Sequence, residues 1–518
     1  MSQDLISLCS AILKEYFGEI VQTVGTFLMK QVAPCSLFAI VRNVRLPLEK
    51  VQSSLLNLIQ MNFCEFKLND MGLAPIVEYS VSPYKVLSVL HYERYAYCAQ
   101  LLYGDPADLL VEEILNHGHL TMSEAIRKVI ERLQEAKDAT GVDYSSEKIC
   151  DKFRLLITNQ YLIRCPYAET VDFERVPNLC LADKDKFVVP EIKLHLLETN
   201  SCEEPENKKQ KIEYPDAGIN WKINFDRFKE YFRNEAIITA CANVHGEKAS
   251  EIIKAILLLS DQKYNALSAT SGAVQYYDIL KLLESSSFTS KDLDAYLSIV
   301  CEDEYGFVSK ADERGNGMYV VNISKILKKL VESIITSVVQ DRFGSKCARI
   351  FRILLDKKVL EPKRIEELAM LPPKDTKDYI AKMFEESFIL SQEVSKGSDI
   401  LYGVTFYLLS IDIVQVCRMV LERCYKSVFN LISCNEIQYQ ENKRLLEKNQ
   451  RIDAIVASLK QSGAEEEQIV EVQNIISEPE RILITKVENV TKKIHSSQIQ
   501  IAEMISILTM WLEYNSFK

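Results

Sequence analysis

The C-terminal fifth of the chain, Ile411 to Lys518, carries two apolar runs at heptad spacing, and no other stretch restricts the fold as strongly. In the first run Val414, Cys417, Leu421, Cys424, Val428 and Leu431 step by three and four, and the rhythm resumes at Leu445, Ile452, Val456 and Leu459. After a break marked by Gly463 and Pro479 the second run follows with Leu483, Val487, Val490, Ile494, Ile501, Met504, Leu508 and Trp511. Each run predicts a long helix with one apolar edge. Only a short segment with Ile469, Val472 and Ile475 separates them, so the two edges bury each other by packing antiparallel. Between Asn435 and Asn449 the seam turns polar, which makes Gln438, Asn442 and Asn449 candidate contacts for another protein or for the body of this chain. Use of the coil simply as a dimerisation device is the plainer alternative.

The rest of the chain has 47% hydrophobic and 26% charged residues, enough apolar surface for ordinary globular domains, and the length of 518 suggests about three or four of them. No run approaches the length of a membrane span, and Met1 to Lys14 reads as an amphipathic helix, so the expectation is a non-secreted, soluble protein. The fourteen cysteines are scattered without zinc or redox spacing, which suits reduced thiols in cytosol or nucleus. His117 and His119 are the only close histidine pair, and no carboxylate or cysteine supports metal binding there.

One pattern recurs four times. Val51, Leu55, Leu58 and Ile59 fall at i, i+4, i+7 and i+8, and Phe63 follows four residues later. The same spacing appears in Ile149, Phe153, Leu156, Ile157 with Tyr161; in Leu293, Leu297, Val300, Cys301 with Tyr305; and in Thr376, Ile380, Met383, Phe384 with Phe388. Each aromatic opens an extended run, and a second follows at Ile76 to Val81, Phe187 to Val189, Met318 to Val321 and Thr405 to Leu409. Three helices and a hairpin form the winged-helix plan. The fold class expected is therefore mainly α with small β-hairpin wings: four tandem extended winged-helix domains plus a C-terminal antiparallel coiled-coil hairpin. The boundaries expected are winged helices at 1–82, 83–197, 219–322 and 323–410, a charged linker at 198–218, and the coil at 411–518. Lys208, Lys209 and Lys211 in the linker read as a solvated charge run or part of a nuclear import signal. Trp221, Phe225, Phe228 and Phe232 form an aromatic stripe at helical spacing at the start of the third unit, read as packing.

A winged helix that reads DNA turns the polar face of its third helix to the duplex, where Lys and Arg are required. The third copy has Asp292, Asp294, Glu302, Asp303 and Glu304 there and is assigned to protein contact. The first is weakly basic, with Arg42, Arg45 and Lys50 around Gln and Ser, and the second is mixed. From Asp341 to Lys382 eleven Lys and Arg face seven Asp and Glu, in a chain whose net charge is −11. Arg342, Lys346 and Arg349 fall at i, i+4 and i+7, predicting one helix with a basic face. Sequence-independent, salt-sensitive phosphate binding and a plain solvated face are both open at this point. No phosphate loop, GxSxG elbow or HExxH motif points to catalysis or a cofactor.

Particular strings are more specific. Tyr16 to Val21 (YFGEIV), Asp341 to Leu354 (DRFGSKCARIFRIL), Arg423 to Ser427 (RCYKS), Glu441 to Lys448 (ENKRLLEK) and Gly463 to Glu466 (GAEE) resemble the winged-helix and coiled-coil subunit family of RNA polymerase III. That family supplies the large member of the dissociable initiation heterotrimer and is related to the large subunit of general factor IIE. The resemblance implies a non-catalytic nuclear subunit on the polymerase clamp. It would hold two smaller heterotrimer subunits, contact the TFIIIB initiation factor, and support promoter opening with affinity for single-stranded DNA. It maps DNA binding onto Lys346, Arg349, Arg352, Lys357, Lys358, Lys374 and Lys377. The 198–218 linker is shorter than the charged insertion of some relatives. The rival expectation is a winged-helix docking scaffold of the ubiquitin-ligase or proteasome-lid type.

Overall fold

The computed structural model describes residues 2–69, 76–140, 145–169, 178–190, 216, 218–260, 268–283, 289–312, 317–395, 405–461, 468, 472 and 474–516. Two units divide the chain: Met1–Lys229 with Lys426–Ile499, and Glu230–Tyr425 with Gln500–Lys518.

The first unit opens with α1 (Gln3–Phe17) and α2 (Glu19–Lys30), followed by β1 (Cys35–Ser36), α3 (Leu37–Val44) and α4 (Leu48–Gln60). The wing is β2 (Cys64–Asn69) against β3 (Ile76–Val81), in register Cys64 to Val81, with β1 on the other edge of β3. Val51, Leu55 and Leu58 bury the inner face of α4, as their spacing predicts. The turn expected at Asp70 and Gly72 lies outside the described residues.

The second module follows through α5 (Pro83–Leu87), α6 (Tyr92–Tyr103), α7 (Asp105–His117), β4 (Leu120–Thr121), α8 (Met122–Thr140) and α9 (Ser146–Thr158). At its join to the first module, Gly118 sits at φ 77°, where a Cβ would lie 2.3 Å from the Gln60 carbonyl. His119 Nδ1 is 3.1 Å from that same carbonyl, so this histidine serves the join.

The wing of the second module departs from expectation. Leu162–Arg164 (β5) is followed by a small hairpin of β6 (Tyr167–Glu169) and β7 (Asn178–Cys180), while Phe187–Val189 forms no strand. The strand that returns is β8 (Asn220–Ile223), which lies between β4 and β5 and pairs Leu162 with Ile223. The charged stretch 198–218, drawn as an interdomain linker, thus falls in chain order between two paired strands of one sheet. Most of it, with Lys208, Lys209 and Lys211, lies outside the described residues. Trp221 is therefore a strand residue of the second module, not the first residue of a helical stripe; it is fully buried, edge-on to Phe153 at 6.2 Å. Phe225 and Phe228 begin α10 (Phe225–His245), and Phe228 packs on Tyr95 and Tyr161 with centroids 4.9 and 4.8 Å away.

In the second unit α11 (Glu247–Ser260), β9 (Val274–Gln275), α12 (Tyr276–Leu283), α13 (Ser290–Glu302), β10 (Val308–Asp312) and β11 (Met318–Val321) form the third module. The fourth is α14 (Ile323–Phe343), α15 (Ser345–Lys357), β12 (Val359–Leu360), α16 (Pro362–Ala369), α17 (Pro373–Glu385), β13 (Leu390–Ser395) and β14 (Thr405–Ser410). Both have three-stranded antiparallel sheets with the returning strand central.

A common joint explains why the pattern recurs. Asn62, Gln160 and Ser387 all end a third helix in the left-handed region, at φ 59°, 64° and 60°. The next amide in each, Phe63, Tyr161 and Phe388, donates back to Leu58, Leu156 and Met383 at 2.9 Å. This is the Schellman arrangement, which seats an apolar side chain against the last helical turn. In the third module the left-handed residue is Gly306 (φ 62°), so the aromatic in that seat is Phe307, 2% exposed. Tyr305, expected there, is 43% exposed, because the helix exit is two residues longer. Phe384, expected in the fourth core, is likewise exposed, and Met383 faces inward.

The chain closes with α18 (Ile413–Gln461) and α19 (Glu478–Ser516). In the first unit Ile452 and Val456 pack with Ile476 and Ile484, and Lys448 bonds Glu480. In the second unit Cys417 reaches the carbonyl of Leu508. Late residues of one helix meet early residues of the other, and the reverse, as an antiparallel hairpin demands. The register of α19 differs from expectation near its start: Ile484 is buried, while Leu483 is 48% exposed.

Candidate nucleic-acid interface

The fourth module carries the seven cations singled out for DNA. Gly344, at φ 90°, ends α14 and begins α15, so Arg342 and Lys346 do not share a helix. The single basic helix face through Arg342, Lys346 and Arg349 is not formed. Arg342 instead joins Arg423 on the Glu386 carboxylate, at 2.5 and 2.6 Å. Arg423 also lies over the Phe388 ring at 5.3 Å. The Arg342 hydrogen bond, with Arg423, holds the Glu386 carboxyl below the usual carboxylate range.

The seven side chains separate by role. Arg349 donates to the Ala369 carbonyl at 3.3 Å, satisfying the C-terminal end of α16. Lys357 pairs with Asp356 at 3.0 Å. Arg352 lines a cleft of about 540 Å³ with Lys328, Lys329, Glu304, Glu332 and Asp356, where acids match cations. Lys358 lines a different cleft of about 520 Å³ with Asp412 and Trp511.

Lys346, Lys374 and Lys377 form the coherent remainder. Thr376 and Met383 turn α17 inward and leave Lys374, Lys377, Asp378, Ala381 and Lys382 exposed. Lys346 reaches from α15 to Asp375 at 3.9 Å and lies over the Tyr379 ring at 5.7 Å. Lys382 lies over the same ring at 5.8 Å. Lys346 is among the sequence candidates and Lys382 is among the cations of α17, but the pairing of Tyr379 with them is not a sequence expectation. Its signal was available: Tyr379 and Lys382 are three residues apart on one helix. Such a surface offers point charges to phosphates and an aromatic edge to an unstacked base.

Part of the coil's polar middle, at Asn435, Glu436 and Tyr439, lies toward α1. Lys14 of α1 pairs with Glu436 of α18 at 2.5 Å. A groove of about 1060 Å³ runs between α1, α18 and α19, lined by Asn449, Asn435, Tyr439 and Thr491 among others. Asn449 bonds Asp453 in its own helix, and Asn442 donates to the Gln438 carbonyl. Among the described residues no His, Cys, Asp and Glu group has metal-holding geometry, and no helix is long and apolar enough to cross a membrane.

Comparison with known proteins adds identity to this geometry. Residues 7–69 match the RNA polymerase III subunit RPC82 helix-turn-helix domain, and 184–330 match RNA polymerase III subunit RPC82. Residues 335–411 match the POLR3C C-terminal winged-helix domain, and 444–507 the helical hairpin domain of DNA-directed RNA polymerase III subunit RPC3. The chain is 37% identical over 533 residues to the RPC3 subunit of Rattus norvegicus, covering 99% of both chains. It is 37% identical over 534 residues to that of Homo sapiens and 36% over 535 to that of Danio rerio, each with 99% of both chains covered. These relatives are named as polymerase subunits, whereas the scaffold alternative predicts co-purification with a ligase or protease complex and no DNA affinity. On winged helices, helical hairpin and whole-length identity together, the chain belongs to the RPC3/RPC82 family of RNA polymerase III subunits.

Proposed function

We propose that this chain is a non-catalytic, nuclear subunit that sits on the polymerase III clamp and supports promoter opening by binding. It holds two smaller heterotrimer subunits, contacts TFIIIB, and lies along melted promoter DNA. The observation that carries this reading is 37% identity extending over 99% of the chain and of the relatives named RPC3. Lys346, Lys374 and Lys377, with Lys382, are the DNA-facing group. Arg352 and Lys358 contribute from their clefts, and Gln438, Asn442 and Asn449 are partner contacts on the coil.

The test has two arms. Affinity purification of the tagged chain should recover the largest polymerase III subunit and two smaller subunits; recovery of ligase or protease-lid components would sink the reading. A salt titration with single-stranded and duplex DNA should then give a linear fall of log affinity with log salt. Charge reversal at Lys374 and Lys377 should flatten that slope.

A further inference from the structure

Two lysines from different helices meet over one ring in the fourth module. Lys346 of α15 lies 5.7 Å from the centre of Tyr379, and Lys382 of α17 lies 5.8 Å from it. The ring is anchored. Tyr379 is half-buried, three residues after Thr376 and four before Met383, and both of those are fully buried. A second relation sets Lys382 against α15: burial pushes the Cys347 thiol up, and the charge of Lys382 acts in the opposite direction. Asp375 stands 3.9 Å from Lys346, too far for a hydrogen bond, and leaves that side chain 51% exposed.

A lysine carries its charge on a flexible four-carbon stem, and confining the stem costs conformational entropy whenever a phosphate is bound. The negative face of an aromatic ring attracts an ammonium and limits where it goes. Tyr379 does this for two ammonium groups at once, and they lie no farther apart than the sum of their distances to its centre. Phosphates of one strand succeed each other at about 3.4 Å along the axis, so both charges come within reach of one short run of backbone. Each ammonium has three donors, so one held over the ring still presents N–H groups to a phosphate oxygen. A base, by contrast, stacks on an open aromatic face, and the space over Tyr379 is taken.

We propose that Tyr379 is a positioning residue, which holds Lys346 and Lys382 as a preorganised pair for neighbouring phosphates of one strand and does not itself stack a base. This rests on the DNA-facing reading of the fourth module.

The experiment titrates the full chain against fluorescein-labelled oligothymidine, by anisotropy over a salt series. Tyr379→Leu should weaken binding about three- to tenfold at fixed salt, while the salt slope changes by less than about 0.3, since no charge is lost. Tyr379→Phe, which keeps the ring, should bind as the parent chain does. Lys346→Gln with Lys382→Gln should lower the slope by about 1.4, the value for two phosphates, and Tyr379→Leu added to that pair should cost nothing further. An unchanged melting temperature excludes misfolding, and Tyr379→Met is the second ring-free variant if Tyr379→Leu melts early. A full loss on the lysine-free background, a loss in Tyr379→Phe equal to that in Tyr379→Leu, or unchanged or tighter binding without the ring would overturn the proposal and leave the DNA-facing lysines standing. A salt slope unmoved by the paired lysine change would overturn both.

Discussion

The amide of Asn224 donates to the carbonyl of Tyr161 across 2.9 Å, although a long charged connector separates them in sequence. Ser82 bonds Phe63 in the same way in the first module, at 3.2 Å, and Asn322 bonds Phe307 in the third, at 3.0 Å. The residue after each returning strand thus closes onto the aromatic that opened the wing. That shared bond, with the pairing of β5 and β8, makes Asn220–Ile223 the returning strand of the second module.

The connector should therefore be replaceable. The chain on both sides of it is held at the end of β5, since Arg164 donates to the Lys186 carbonyl at 3.1 Å and Cys165 to the Asn220 carbonyl at 2.7 Å. Exchanging residues 191–215 for a short Gly/Ser bridge is expected to shift the melting temperature by less than about 3 °C, because loop-closure entropy varies slowly with length. Trp221→Ala, by contrast, should cost about 3–5 kcal/mol in urea denaturation.

Asp216 anchors the end of the same connector. Its carboxylate is fully buried and accepts from both the amide and the hydroxyl of Ser123, each at 2.8 Å, at the first turn of α8. Asp216→Ala leaves a buried donor pair without an acceptor and should lower stability by about 1–3 kcal/mol. Asp216→Asn keeps one acceptor and should cost less; equal losses would contradict this role.

The third module offers a graded set. Gly306→Ala puts a Cβ into a left-handed position and should cost about 1–2 kcal/mol. Phe307→Ala, emptying the buried aromatic seat, should cost about 3–5 kcal/mol. Tyr305→Ala should change stability by no more than about 0.5 kcal/mol. Chemical denaturation of the three variants orders them, and a larger effect at Tyr305 than at Phe307 would restore the spacing-based assignment.

At the hairpin end, the Lys448 hydrogen bond, then the Ser477 amide and hydroxyl, hold the Glu480 carboxyl down at about 2. A depressed carboxylate stabilises the fold fully above its ordinary value of 4.5, and the contribution fades as pH falls through the folded value near 2. Carboxyl carbon NMR should show Glu480 titrating below every freely exposed glutamate. Lys448→Met should move it upward only part of the way, because Ser477 still donates.

Arg349 and Lys374 should respond oppositely. Arg349→Ala removes the donor to Ala369 and should lower the melting temperature with little change in DNA affinity. Lys374→Glu with Lys377→Glu should leave melting unchanged and reduce the single-strand salt slope by about 1.4, the value for two phosphates. Filter binding across a salt series, beside thermal melts, separates the two.

The periodic features were legible from residue order alone. Val51, Leu55 and Leu58, or Ile149, Phe153 and Leu156, face one way in any helix, and two adjoining apolar edges have little choice but to fold on one another. Local geometry imposes these relations, so the helices, the modules and the hairpin followed without tertiary information. Folding decided whatever depends on distant partners. A strand's neighbour is set by the sheet it completes, so β8 displaced the nearer Phe187–Val189. The turn at Gly344 sent Arg342 to Glu386 and broke the expected basic face, and longer exits moved Phe307 into the seat of Tyr305. Whether a cation is available to a phosphate or already committed, as Arg349 is to Ala369, depends on contacts between elements that spacing along one helix does not encode.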